Sequence, residues 1–231
     1  GHYGVPQDRK RVILFGAQPG LSVPNYPIPT HCFPSVGCSY RGASMTFAST
    51  GSAYPMVTVW DALIDLPAKE GNTYALSWME ASDYVRMLRK KRQVLLNHQT
   101  RLQSLLNQER FCHVPKDCPG ADWRDLPDQL IPFCLPNTAD RHNDWTGLYG
   151  RLAWDWRWQC LLTTPNPFRS IVVHPTEDRI ITVRECARAM GYPDDFEFHG
   201  ALKDQYRQNG NAVPVPLARA IASEVAKAAI R

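Results

Sequence analysis

The sequence predicts an α/β chain in which a short strand near the start and capped helices near the end flank a long irregular region. Three stretches carry that expectation. The run VILFG, residues 12–16, is apolar and follows the turn-like GVPQDRKR, so it reads as a buried strand. A lone buried strand cannot satisfy its own backbone groups, and nothing before it offers a partner. Part of a sheet is therefore expected outside these residues, with the chain forming the C-terminal portion of a larger protein. The second stretch, TVRECARAMGYPDDFEF, reads as a helix capped by Thr182, with Glu185 three residues on as the capping-box partner. Val183, Cys186, Ala187 and Met190 make its apolar stripe, and Gly191 with Pro193 ends it. The third, QNGNAVPVPLARAIASEV at residues 208–225, predicts a tight turn opening onto a last helix after Pro216. Gly210 permits a backbone that a Cβ resists, and Asn211 would sit inside the turn with a donor and an acceptor free for a polar ligand. A plain helix entry explains the same residues.

Composition sets the bounds. A chain of 231 residues that is 44% hydrophobic and carries seven tryptophans has a core to bury. A net charge of +4 is compatible with a polyanionic partner without establishing one. No apolar run reaches the roughly 18 residues that span a bilayer, and the opening GHYGVPQDRKR lacks the apolar core of a signal peptide, so a soluble, non-secreted chain is expected. The seven cysteines (Cys32, Cys38, Cys112, Cys118, Cys134, Cys160 and Cys186) are odd in number and contain no CxxC pair, which favours reduced thiols. Cys112, His113, Cys118 and Cys134 match no standard zinc spacing, and no metal is expected.

Between the ends, residues 18–56 are dense in Pro, Gly and Ser and predict a long irregular crossing. TVWDALIDLPAKEG predicts a short helix capped by Thr58, with Val59, Leu63 and Leu66 inward and Pro67 as its stop. Residues 82–108 repeat apolar positions at Val85, Leu88, Leu95, Leu102 and Leu105 or Leu106, predicting one long helix or two with a break around Asn97. Its cluster of Arg86, Arg89, Lys90, Lys91 and Arg92 first suggests a solvated face, with a phosphate-contacting or nuclear-import patch as the alternative. Residues 111–180 are irregular and aromatic: Trp145, Tyr149, Trp154, Trp156 and Trp158 stand among Arg141, Arg151, Arg157 and Arg169. Such a mixture stacks on bases and pairs with phosphates, or fills the core of a small, poorly layered subdomain.

GVPQDRKR, TVRECARAMGYPDDFEF and QNGNAVPVPLARAI, in that order, resemble the last three conserved blocks of the DNA cytosine-5 methyltransferases, with a variable target-recognition region between the first and second. ADWRDLPD, LIPFCLPNTADRHNDWTGLYGRLAWD and VRECARAMGYPD are similar to the eukaryotic maintenance CpG type, so the resemblance covers most of the chain. It implies an α/β fold: the last strand and helices of a doubly wound S-adenosylmethionine-dependent methyltransferase sheet, plus a largely irregular target-recognition lobe. Residues 1–17 would end the catalytic domain, 18–180 would form the recognition region, and 181–231 would return to the catalytic domain.

The family flips its target cytosine out of double-stranded DNA, attacks C6 with a cysteine thiolate, and moves a methyl group from S-adenosylmethionine to C5. By resemblance, Arg11 holds the O2 of the flipped base and Arg9 braces the loop and the DNA backbone. Gln7, Trp154, Arg151 and Arg169 are placed at the DNA. Arg184, on the helix that organises the recognition region, serves there or in a structural ion pair. Asn211 and Val213 would line the methyl-donor pocket, and the nucleus is the implied location.

The departures carry equal weight. The family's Pro-Cys, Glu-Asn-Val and glycine-rich blocks are absent, so these residues alone are expected to be inactive and to need the N-terminal catalytic half of the same protein as partner. Gln129 alone separates DLPD from LIPFCLP, where maintenance enzymes insert a zinc-binding segment, and Asp144 replaces the histidine completing that site. FRS stands where a Met-Gly-Lys-Gln-type loop would read the CpG guanine, which leaves the sequence context open. A non-catalytic DNA- or partner-binding module left from a degenerate methyltransferase is the alternative.

Overall fold

The computed structural model describes residues 1–32, 54–133, 135 and 146–230. The readings made for Cys38, Cys134, Arg141, Asp144 and Trp145 lie outside them. Six α-helices are described: α1 (Val59–Leu63), α2 (Asp83–Arg89), α3 (Leu105–His113), α4 (Val183–Ala189), α5 (Leu202–Asn211) and α6 (Val215–Ala229). Local chemistry starts several of them. Thr58 and Asp61 form a reciprocal capping box on α1, as Thr182 and Glu185 do on α4, while Ser82 and Ser104 cap α2 and α3.

The apolar repeat over residues 82–108 resolves into α2 and α3 with an irregular connection, wider than a break at one residue. Lys90, Lys91 and Asn97 all adopt the left-handed conformation (φ 48°, 60° and 55°), which ends α2 and prevents the helix from continuing. Leu95 is buried in that connection, whereas Leu102 is 87% exposed.

The strand expected at residues 12–16 does not form. Val12 and Leu14 are 89% and 85% exposed, so the segment is not buried either. Among the described residues there is no strand ladder, only isolated bridges such as Gln7 to Trp158 and Val173 to Ile180. A strand needs a neighbour to take its N–H and C=O groups in a ladder. Among the described residues this segment is met by a side chain instead: the Tyr26 hydroxyl donates to Ile13 O at 3.1 Å and its ring lies 5.0 Å from that of Phe15. None of the residues of α6 is buried, and Val213, Val225 and Ile230 near or within it are exposed.

One apolar core joins the irregular region to the late helices: Val59 and Leu63 of α1, Leu152, Trp158, Val173, Ile180, Cys186, Met190 and Tyr206 belong to it together. With no strand ladder among the described residues, many buried carbonyls must find donors elsewhere, and arginines supply them. Arg151 donates to the carbonyls of Val114 (3.1 Å), His174 (2.7 Å), Glu177 (2.8 Å) and Phe111, and to the Asp178 carboxylate (2.7 Å). Arg184 does the same for Leu96 (2.8 Å), Pro193 (3.2 Å) and Phe196 (2.7 Å).

A buried ionic network clamps α4 to α1 and α2. Arg188 reaches Asp194 at 2.6 Å and also Asp65, Arg89 meets Asp65 at 3.2 Å, and Tyr74 donates to Asp194 at 2.9 Å. Burial alone would raise the Asp194 carboxyl, but Arg188 and its hydrogen bonds hold it below its ordinary value.

His174 sits behind the N-terminus of α4 with its Nδ1 accepting from the backbone N–H groups of Thr176 (3.3 Å) and Glu177 (3.2 Å), and its Nε2 3.8 Å from Glu185. Protonating Nδ1 would cost both acceptor bonds, and burial pushes the imidazole down to about 4 against the opposing pull of Glu185. The folded state thus binds its proton less readily than the unfolded chain. The stability from neutral His174 is complete above about pH 6.5 and is lost as pH falls toward 4, by about 3 kcal/mol. Glu185, which burial would raise but Arg179 holds well below the carboxylate range, adds a further loss below its ordinary value of 4.5. Urea unfolding between pH 7.5 and 4 is expected to show this decline, and His174→Gln to flatten the part above pH 4.5.

Candidate functional site

Residues 5–11 run beside residues 157–161. Trp158 N–H donates to Pro6 O at 2.8 Å, and Asp8 N–H donates to Trp158 O at 2.9 Å. Gln7 completes the junction from inside: its Nε2 donates to Ala189 O and contacts Met190 Sδ, both at 3.1 Å, while its Oε1 accepts from Leu161 N–H at 3.1 Å. Gln7 is fully buried and all its amide atoms are used, so it binds α4 to the 158–161 segment instead of facing DNA.

Two residues on, the half-buried Arg9 donates through Nη1 to Leu161 O (3.0 Å) and through Nη2 to Gly210 O (2.7 Å). Burial pushes its guanidinium down from the ordinary value, with the neighbouring Cys160 sulfur opposing. Arg11 lies on the same side of this extended segment, as i and i+2 positions do, but is exposed. It donates to Lys10 O at 2.6 Å and approaches Cys160 Sγ at 3.9 Å. One arginine is fixed into the protein, and the other is presented to solvent.

Arg9 also joins the first block to the end of α5. Gly210 and Asn211 are the last residues of that helix, not the interior of a turn, and α6 begins at Val215, so the connection is shorter than the sequence suggests. Gly210 has no positive φ; glycine is required by close approach instead. A Cβ there would stand 2.4 Å from Thr163 Cα and 2.5 Å from Thr163 N. Gly210→Ala is therefore expected to destabilise by about 1–3 kcal/mol in denaturant unfolding, whereas Gly71→Ala, with open space around it, should stay within about 0.5 kcal/mol.

Asn211 and Val213 are both exposed at this end of α5, Val213 by half. The Asn211 carboxamide makes no hydrogen bond within the described residues, so a polar and an apolar side chain stand free beside one helix end.

The remaining sites divide. Arg169 is exposed on a turn tied by Asn166, whose Oδ1 accepts from Phe168 N–H at 3.0 Å and whose carbonyl accepts from Arg169 N–H at 2.9 Å. Trp154 is half-buried, edge-on to His174 with ring centroids 5.5 Å apart. Arg151 and Arg184 have fully buried side chains engaged with carbonyls, so neither guanidinium reaches the surface; this corrects the placement of Arg151 at the DNA and leaves Arg184 its structural ion pair, with Asp194 at 3.8 Å. Cys160 was not legible as a site residue from its sequence neighbourhood; only the pairing of residue 158 with residues 6 and 8 brings its sulfur to both arginines. Among the described residues no group of three His, Cys, Asp or Glu side chains could hold a metal ion, and no helix is long and apolar enough to cross a membrane.

The ordered motifs and the junction they build agree with sequence comparison: the chain belongs to the C-5 cytosine-specific DNA methylase family, whose profile matches residues 1–227. Among its relatives, DNA (cytosine-5)-methyltransferase 1A of Oryza sativa subsp. japonica is 40% identical over 253 residues, covering 99% of this chain and 16% of the relative. DNA (cytosine-5)-methyltransferase 2 of Arabidopsis thaliana is 40% identical over 256 residues, with the same two shares. DNA (cytosine-5)-methyltransferase 1 of Mus musculus is 33% identical over 297 residues, covering 97% of this chain and 18% of the relative. The chain thus spans less than a fifth of the length of these relatives.

Proposed function

We propose that these residues are the target-recognition and closing segment of a DNA cytosine-5 methyltransferase, which transfers a methyl group from S-adenosylmethionine to C5 of cytosine, in CpG sites of double-stranded DNA. The observation that carries this reading is the Arg9 junction: one arginine locks the first block to the end of α5, and the second stands exposed on the same side, touching the protein at Lys10 O and Cys160 Sγ. In this reading residues 1–17 and 181–231 complete a doubly wound catalytic domain, and 18–180 form the recognition lobe. The partner is the N-terminal half of the same protein, bearing the cysteine nucleophile, since no Pro-Cys dipeptide occurs here. The protein works in the nucleus.

Each residue has a task that its placement permits. Arg11 donates to O2 of the extruded cytosine, and a cation there stabilises the negative charge that develops on the ring after attack at C6. Arg9 holds the loop and the helix end in register. Trp154 occupies space near the extruded base, and Arg169 pairs with phosphate. Asn211 and Val213 hold S-adenosylmethionine, which supplies the methyl group when bound. Placing 2-aminopurine at the target position tests the reading. Its fluorescence should rise when the longer natural chain binds, reporting an unstacked base, and an unchanged signal on a saturated duplex would contradict extrusion.

A further inference from the structure

Arg9 and Arg11 converge on one sulfur atom. Cys160 Sγ lies 3.4 Å from Nη1 of Arg9 and 3.9 Å from Nη2 of Arg11, and its own S–H points to Leu161 O at 3.7 Å, which turns the sulfur lone pairs toward the guanidinium groups. The two arginines depend on it unequally. Arg9 keeps two carbonyl anchors, Leu161 and Gly210, whatever stands at position 160. For Arg11, among the described residues, the sulfur is the contact that ties the guanidinium to anything beyond its neighbour Lys10. The sulfur is itself well fixed, because Trp158 is paired through its N–H and C=O to Pro6 and Asp8, and Leu161 N–H to Gln7.

We propose that Cys160 is a positioning residue that sets where the Arg11 guanidinium waits before the extruded cytosine arrives. This rests on the reading of Arg11 as the group that faces the base. A thiol suits the task because sulfur is a weak acceptor: it guides a cation without trapping it, so the guanidinium can leave for a carbonyl oxygen at little cost. A carboxylate at the same point would hold Arg11 in a charge-assisted bond.

The test is a double-mutant cycle in the longer natural chain, read as single-turnover methyl transfer and as equilibrium binding to target DNA. Cys160→Ala is expected to slow transfer about tenfold at an unchanged unfolding midpoint, and Cys160→Ser, which keeps an acceptor, to stay within about twofold. Cys160→Asp should slow transfer at least as much as alanine does. The deciding result is Cys160→Ala in an Arg11→Ala background: no further loss is expected, because the thiol acts through that arginine. The same tenfold loss in both backgrounds would overturn the proposal. Should the wild-type chain bind DNA but transfer nothing, the methyltransferase reading falls, and the cycle is then decided by binding. There, Cys160→Ala must weaken binding to duplexes with a cytosine target only while Arg11 is present, and weakening without Arg11 would overturn it.

Discussion

Replacing Arg188 by alanine is expected to destabilise the folded protein by about 3–5 kcal/mol, a large share of a total stability of roughly 5–15 kcal/mol. Arg188 is fully buried between two carboxylates, Asp65 and Asp194, both also fully buried. Removing it leaves two negative charges facing each other in the interior, with Arg89 and Arg184 in reach of one each at 3.2 Å and 3.8 Å. It also removes the donor to Ala62 O that links α4 to α1. The exposed pair of Lys227 and Glu224 on α6 supplies the contrast: Lys227→Ala should cost no more than about 0.5 kcal/mol, because solvent screens the charges and the side chain regains its freedom. Denaturant unfolding of both variants measures the difference. An Arg188→Ala cost below 1 kcal/mol would mean that the network is solvated and does not clamp α4.

Arg11→Ala is expected to lower the rate of methyl transfer by the longer natural chain on the order of 10²- to 10³-fold, the scale on which a single donor to a developing anion acts. Its effect on stability should be within about 0.5 kcal/mol, since Arg11 is exposed and its one backbone partner is the adjacent residue. Arg11→Lys should recover only part of the rate, because an ammonium lacks the planar fork of a guanidinium. Single-turnover transfer with saturating DNA separates this from weakened binding. An unchanged rate in Arg11→Ala would remove the role assigned to it. Arg9→Ala is distinguishable: it unties Leu161 and Gly210 together, and stability should fall along with rate.

Family membership was legible in the sequence because three motifs in a fixed order are far more specific than any one of them. The capped starts at Thr58 and Thr182 were legible because capping is settled within four residues. The leucine repeat after Ser82 allowed one helix or two with a break around Asn97, and the structure has two; the width of that break was not legible, because no local spacing announces the left-handed backbone of Lys90 and Lys91. Gly210 was legible as obligatory but for the wrong reason, since its neighbour Thr163 is far away in the chain. Arginine roles were the least legible part. Arg151 and Arg169 look alike in sequence, yet one is surrounded by carbonyls of a region short of ladders and the other stands in solvent. Residues 12–16 carry the pattern of a buried strand, and burial depends on a neighbour that the described residues do not provide.

The most direct measurement is transfer of a labelled methyl group from S-adenosylmethionine to hemimethylated and unmethylated CpG duplexes, by these 231 residues alone and by the longer natural chain. Transfer by the longer chain, with none by the shorter, is the predicted result, and the ratio between the two duplexes then reports whether maintenance preference accompanies the short FRS turn. DNA binding without methyl transfer by the longer chain would contradict the account and leave a recognition module without chemistry.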